Sequence, residues 1–596
     1  MRGVIRFRAG ALRETRHSTS ASTSPAACFL DRSGVVRDSH LRLRALAGAA
    51  CSFHSSSRDR SETLGTAAKL PDAEPVAPVP PQQRRLTVAD VLERRAKAGR
   101  LVAPTAAYSD ADMFKAPTIG KPKAKRWDHH LSQESLLREP CKLKQAAKHL
   151  KKPGLISLGG GLPCPEYFPI ESLSMRVPRA SNFSPSPEPS PATALNEETV
   201  QIGKYDATHP PQRSEYDLSI GLNYGQANGS AQLMRFVTEH VELVGLAPPY
   251  ADWRTCLTVG STSALETALR MLCDGPGRGD ALLTEEYSFS TALETAAPLG
   301  VKVVGVPMDD QGLLPEEMDR ILRNWPIGTR RPHVLYTVPS GQNPTGATQG
   351  EARRREIYEV CRKHDVFIIE DEPYYYLQMQ APGTAPPRTV DEFVDSLIPS
   401  LLSMDVDGRV LRMDSFSKVV VPGARLGWVT ASEQIVERYI RHAEVANQGP
   451  SGFSQVIMHK LLDETWGHEG YLRWLMHLRM EYTKRRNVIV AACERFLPRE
   501  IVSWNSPQAG MFHWLKINHE LHPHSSSKSI LEIEEEIFDS CLEKGVLVAR
   551  GSWFRAEQDT APRGLFFRAT FAAATPENMT EAIRRFGEAI RESYKL

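Results

Sequence analysis

Between positions 224 and 449 the chain alternates short apolar runs with helix-patterned segments. The runs fall at 257–259, 281–284, 301–306, 334–338, 366–370, 410–413 and 426–430. Helical patterns fill most of the gaps, as at 262–272, 351–364 and 433–443. This alternation predicts an α/β domain built on a mainly parallel sheet, in which ligands bind at the carboxyl ends of the strands. From about 480 to 596 the pattern gives a helix, strands and a last helix at 576–594, which predicts a smaller α+β domain. No internal repeat is visible.

The ends and interruptions read differently. Positions 86–99 predict a short helix capped by Thr87. Residues 103–127 show no periodicity and end in a basic cluster at 121–125, expected to be a solvated patch, so folded structure is expected from near Asp128. A stretch at 178–213 containing SPSPEPSP predicts a flexible insertion loop, and 378–408 is a second long loop. The expected division is 61–127 as linker and extension, 128–223 as N-terminal arm and part of the small domain, 224–449 as large domain, and 450–596 as connecting helices and C-terminal small domain.

Composition adds location and exclusions. Residues 1–60 carry 11 Arg, no Lys and 4 acidic residues, a local charge of +7 in a chain of net +2. An Arg-rich, Ser-rich, acid-poor leader predicts a mitochondrial transit peptide, with a cytoplasmic location as the alternative. The rest of the chain is mildly acidic and gives no footprint for nucleic acid. No apolar run approaches the roughly 20 residues a membrane helix needs. The nine cysteines form no CxxC pair, so neither a disulfide framework nor a metal site is expected.

The candidate chemistry lies at the predicted strand ends. Lys418 sits in the polar turn Ser415-Phe-Ser417-Lys418, and Arg425 follows seven residues later. An amine reacts with an aldehyde only when unprotonated, and a nearby cation such as Arg425 favours that form. Asp371 follows the apolar run at 366–370 and leads into Glu-Pro-Tyr374; Asn343 follows the run at 334–338. Ser261 and Thr262 open a helix after a strand, where free amides face an anion. Tyr287 stands at another strand end, and Arg568 lies in an alternating apolar strand that implies an anionic partner. Taken singly, these are turn, cap and ion-pair residues. Together they meet the demands of pyridoxal phosphate (PLP): an amine, a carboxylate for the pyridine nitrogen, donors for the ring oxygen and a phosphate cradle.

Asn343-Pro-Thr-Gly, Asp371-Glu-Pro-Tyr-Tyr and Ser415-Phe-Ser-Lys with Arg425 stand in the order of the fold-type I, class I/II PLP-dependent aminotransferases, which residues 128–596 resemble. DHHLS at 128–132, ISLGGGLP at 156–163, LNYG at 222–225 and, less diagnostically, 87–107 resemble the fungal aromatic-amino-acid and kynurenine/2-aminoadipate subgroup. The resemblance implies Lys418 as Schiff-base lysine and proton shuttle, and Asp371 at the pyridine nitrogen. It implies Asn343 and Tyr374 at the ring oxygen, and Ser261, Thr262, Ser415 and Arg425 around the phosphate, whose cradle Ser417 could complete. Tyr287 would stack on the ring, and Arg568 with Asn343 would hold the substrate carboxylate. Gly161 and Leu162 would cover the substrate. Tyr224 would reach the phosphate of a neighbouring subunit, which implies a homodimer. The expected reaction is a ping-pong transamination from aromatic amino acids, with 2-aminoadipate and kynurenine as further donors, to 2-oxoglutarate or another 2-oxo acid. A lyase or synthase on the same fold, and an aminotransferase-like regulator, are the alternatives.

Overall fold

The computed structural model describes residues 85–146, 148, 149, 152, 154–183, 197–209 and 214–596. The proposed leader and the SPSPEPSP run lie outside them. A seven-stranded sheet is formed by β1 (Trp253–Thr258), β2 (Ala281–Glu285), β3 (Lys302–Val306), β4 (Val334–Thr337), β5 (Phe367–Asp371), β6 (Val410–Ser415) and β7 (Gly427–Ser432). Their lateral order is β1-β7-β6-β5-β4-β2-β3. Strand β7 runs antiparallel to both neighbours, and the other four pairings are parallel. Each strand expected from an apolar run is present.

The period of two sorts side chains to opposite faces. Val334 and Tyr336, Phe367 and Ile369, and Leu411 and Met413 enter one hydrophobic core. Leu335, Ile368 and Val410 enter another. Cover on both faces explains why these strands read as continuous apolar runs. Helices α1 (Val88–Ala98), α2 (Ala231–Leu243), α3 (Ser261–Leu272), α4 (Glu351–His364), α5 (Glu433–Ala446) and α6 (Gly467–Phe496) precede the last pair, α7 (Ile530–Glu543) and α8 (Pro576–Tyr594). A second, wholly antiparallel sheet has β8 (Val502–Ser503), β9 (Phe512–Ile517), β10 (Ala549–Arg550) and β11 (Leu565–Thr570) in the order β8-β9-β11-β10. Residues Gln82–Leu596 form one unit containing both sheets. The loop after β4 meets the loop before β9 at two glycines: a Cβ on Gly341 (φ +59°) would lie 2.5 Å from the Gly510 nitrogen.

Three expectations need correction. Ordered structure begins well before Asp128. Thr87 and Asp90 form a reciprocal capping box at the start of α1. Arg94 pairs with Glu242 at 2.8 Å, and Arg95 pairs with Glu239 and with Asp463 at 2.6 Å. These partners are distant in the chain, so no local pattern announces them. The stretch 178–213 is not wholly loop: Glu197–Gly203 pairs antiparallel with Ser172–Pro178. Only Val177 and Ile202 of this hairpin are buried, so no apolar run marked it. Within 378–408, Val390–Asp395 and Leu401–Met404 are helical and bury Phe393, Val394, Leu401 and Leu402. No helix among the described residues is long and apolar enough to cross a membrane.

Candidate active site

Strands β4, β5 and β6 are lateral neighbours, so the segments leaving their carboxyl ends lie side by side. Lys418 follows β6 in a partly buried turn. Burial holds its amine below the usual lysine value, with the Arg425 and Arg568 cations adding to the effect. Arg425 is therefore a secondary contributor, and Arg568 is a second cation that local sequence could not place here. Arg425 itself occupies the left-handed region (φ 47°), with Nη1 donating to the Pro422 carbonyl (2.9 Å) and the Ser417 hydroxyl (3.4 Å). The Ser417 amide donates to Ser415 Oγ (3.1 Å), and the two hydroxyls are 2.8 Å apart.

The start of α3 faces this turn. A Cβ on Gly260 (φ +80°) would stand 2.7 Å from Arg425 Nη2, so a side chain there would collide with the guanidinium. Gly260 also leaves the helix without a side-chain cap, and the first amides, at Ser261 and Thr262, are not occupied by one.

Asp371 ends β5 and is 5% exposed. Its Oδ2 accepts from the Tyr336 hydroxyl at 2.9 Å, whereas its Oδ1 has no partner. Burial pushes this carboxyl up to about 7. The Tyr374 ring is buried beside Phe512. Asn343, preceding a cis proline, accepts from Arg568 Nη1 at 2.7 Å through Oδ1. That bond fixes the amide so that Nδ2 is left as a donor. The Arg568 guanidinium lies over Phe512 (4.3 Å) and Phe554 (4.6 Å) and pairs with no carboxylate among the described residues. Burial lowers its pKa, as expected of a guanidinium without an anion.

The remaining expected residues differ in exposure. Tyr287 is buried against Trp514 and Phe566, with ring centroids at 5.3 and 5.1 Å. Its carbonyl accepts from Gln342 Nε2 at 2.7 Å, which ties it to the loop carrying Asn343. Tyr224 is 58% exposed. Gly161 and Leu162 are exposed on a segment without regular structure.

Residues 219–586 match the family aminotransferase class I and II. An aromatic amino acid aminotransferase of Schizosaccharomyces pombe is 44% identical over 482 residues, covering 78% of this chain and 98% of that protein. The mouse mitochondrial kynurenine/alpha-aminoadipate aminotransferase is 32% identical and covers 78% of this chain and 99% of its own. The crystal structure of aminotransferase Aro8 from Candida albicans superimposes with a TM-score of 0.73 at 39% identity, covering 80% of this chain and all of that one. The chain belongs to the class I and II aminotransferases.

As a member of that family it is a PLP-dependent transaminase of fold type I, acting on amino acids and 2-oxo acids. The residues present fit the cofactor. The unpartnered Asp371 Oδ1 is a buried acceptor suited to a protonated ring nitrogen, and the uncapped α3 terminus with Arg425 is suited to a phosphate. Sequence reading missed Tyr336, which lies inside a strand and reads as core, and the steric requirement at Gly260. It also missed Phe512 on β9 and Phe554 in a short helical turn after β10, whose rings come together around Arg568 only in the fold. Only the run Phe566-Phe-Arg568 hinted at this aromatic setting.

Proposed function

We propose that this aminotransferase takes the amino group of aromatic amino acids, with kynurenine and 2-aminoadipate as further donors, and passes it to 2-oxoglutarate. The observation that carries the reading is Arg568: an unpaired guanidinium between two aromatic rings, bonded to Asn343, beside Trp514 and Phe566. On β11, Phe566 and Arg568 share a face. Trp514 is the register partner of Arg568 on β9. A carboxylate clamp next to an aromatic wall suits an amino acid with a flat side chain.

In this reading Arg568 takes the substrate α-carboxylate in bidentate fashion. PLP, when bound, withdraws the electron pair left as the substrate Cα–H bond breaks. Asp371 Oδ1 would accept from the ring nitrogen and favour its protonated form. Asn343 Nδ2 and the Tyr374 hydroxyl would donate to the ring oxygen. Ser261, Thr262, Ser415, Ser417 and Arg425 would hold the phosphate, and Tyr287 would stack on the ring. Lys418 Nζ, whose pKa is lowered by burial and by the Arg425 and Arg568 cations, would take the proton from Cα and later return it.

The single chain leaves an apolar strap uncovered: Ile156 (87%), Leu158 (95%), Tyr167 (82%) and Tyr224 (58%) are exposed. This supports a homodimer in which Tyr224 reaches the phosphate of the other subunit and Gly161 and Leu162 cover the substrate. Mitochondrial targeting by residues 1–60 rests on their composition. Specificity is tested by kcat/KM for phenylalanine, tyrosine, tryptophan, kynurenine, 2-aminoadipate, aspartate and alanine with 2-oxoglutarate. Aromatic donors leading by tenfold or more supports the reading, and aspartate or alanine leading contradicts it. Sedimentation of the enzyme as a monomer at micromolar concentration would contradict the dimer.

A further inference from the structure

We propose that Tyr336 is a positioning residue for the cofactor: it occupies one oxygen of Asp371 and thereby presents the other, Oδ1, to the ring nitrogen of PLP. The inference rests on Asp371 being the partner of that nitrogen. Tyr336 points from β4 and is fully buried, and its hydroxyl donates to Asp371 Oδ2 at 2.9 Å. On the same carboxylate, Oδ1 is buried and makes no hydrogen bond, while the nearby Ser261 hydroxyl, itself without a partner, also favours the charged form. A carboxylate with one oxygen fixed cannot swing, so the free lone pairs hold a single direction.

The surroundings show why the donor is needed. Two carboxylates bear on Asp371: Glu285 from β2 and Asp414 from β6. Both disfavour its ionised form, as does burial, whereas Tyr336 and Ser261 favour it. Tyr374, on the segment leaving β5, is a buried neutral phenol. Glu285 is already committed to the Thr337 hydroxyl (2.6 Å) and the Val338 amide (3.2 Å), and Asp414 to Arg412 (2.7 Å). Burial and Asp371 hold the Tyr336 phenol well above the usual tyrosine value, so it remains a donor across the working pH range. Phenylalanine at 336 would keep the ring volume and remove only that O–H. Asp371 would then take up a proton more readily, and a neutral carboxyl loses the charge that stabilises a protonated ring nitrogen.

The test is the PLP dissociation constant of wild type and Tyr336→Phe, measured by equilibrium dialysis from pH 6 to 9, with steady-state kinetics at saturating PLP. Expected is about tenfold or greater weakening of PLP near pH 7, narrowing towards pH 9 as Asp371 ionises. The kinetics should show a fall in kcat with KM for the amino acid within about twofold, because Arg568 is untouched. An unchanged dissociation constant and pH profile overturns the inference. If Tyr336→Phe does not fold, 3-fluorotyrosine at position 336 supplies a stronger donor and should shift the profile the opposite way; an unshifted profile again overturns it. Wild type that fails to bind PLP would instead indict the reading of the site itself.

Discussion

Two sets of charges on and around the strands of the large sheet are treated in opposite ways. In the core beneath the site, Arg412 pairs with Asp414 at 2.7 Å and Arg354 with Glu372 at 3.2 Å, with Glu370 near both arginines. In the cleft, Lys418, Arg425, Arg568 and Asp371 form no ion pair among the described residues. Core charges are neutralised inside the protein and serve its architecture. On the proposed reading, the cleft charges take partners from outside: a phosphate, a carboxylate and a protonated ring nitrogen. Burial of the unpaired Asp371 is a cost to the fold that the cofactor relieves.

The sharpest break in this contrast comes from Lys418→Ala, expected to lower kcat at least about 10³-fold with little loss of stability. Turnover near wild type would remove the lysine from the chemistry. Next, Arg412→Met strikes the paired set and leaves Asp414 without its cation. It should destabilise the fold by about 3–5 kcal/mol in denaturant unfolding. A stable variant with reduced activity would erase the distinction between the two regions.

Arg568→Leu and Arg425→Leu then separate the anions. Each should lose roughly 10- to 100-fold, the former in kcat/KM for amino acids and the latter in PLP affinity, with unfolding midpoints near wild type.

The smallest effect concerns pH. Asp371 is raised to about 7 in the cofactor-free protein against 3.8 as its ordinary value. The native state therefore holds a proton that the unfolded chain has lost, and stability falls as pH rises through that interval. Asp371→Asn abolishes the slope, so cofactor-free variant and wild type should diverge between about pH 4 and 7. The variant should be more stable at pH 8 by about 1–2 kcal/mol, an amount reduced from the full linkage value because other groups relax. Parallel pH curves would contradict the unpaired state of Asp371.

Much of the fold and half of the site were legible because their determinants are local. The seven apolar runs became seven strands, and Asn343, Asp371 and Ser415–Arg425 follow three neighbouring ones. The docking of α1 through Arg94 and Arg95 was hidden, since Glu239, Glu242 and Asp463 lie on remote elements. The hairpin strand Glu197–Gly203 was hidden because its pairing is made by backbone groups and its side chains face mainly outward. Tyr336 was hidden by looking like any aromatic in a buried strand. Its significance depends on register, which brings its strand beside β5.

The most direct test of the account is the visible spectrum of the purified PLP-loaded enzyme. Phenylalanine should bleach the cofactor band, and subsequent 2-oxoglutarate should restore it, with neither change in Lys418→Ala. A band that no amino acid alters, or a Lys418→Ala variant that cycles like wild type, would contradict the assignment of the unpaired cleft charges to PLP and its substrates.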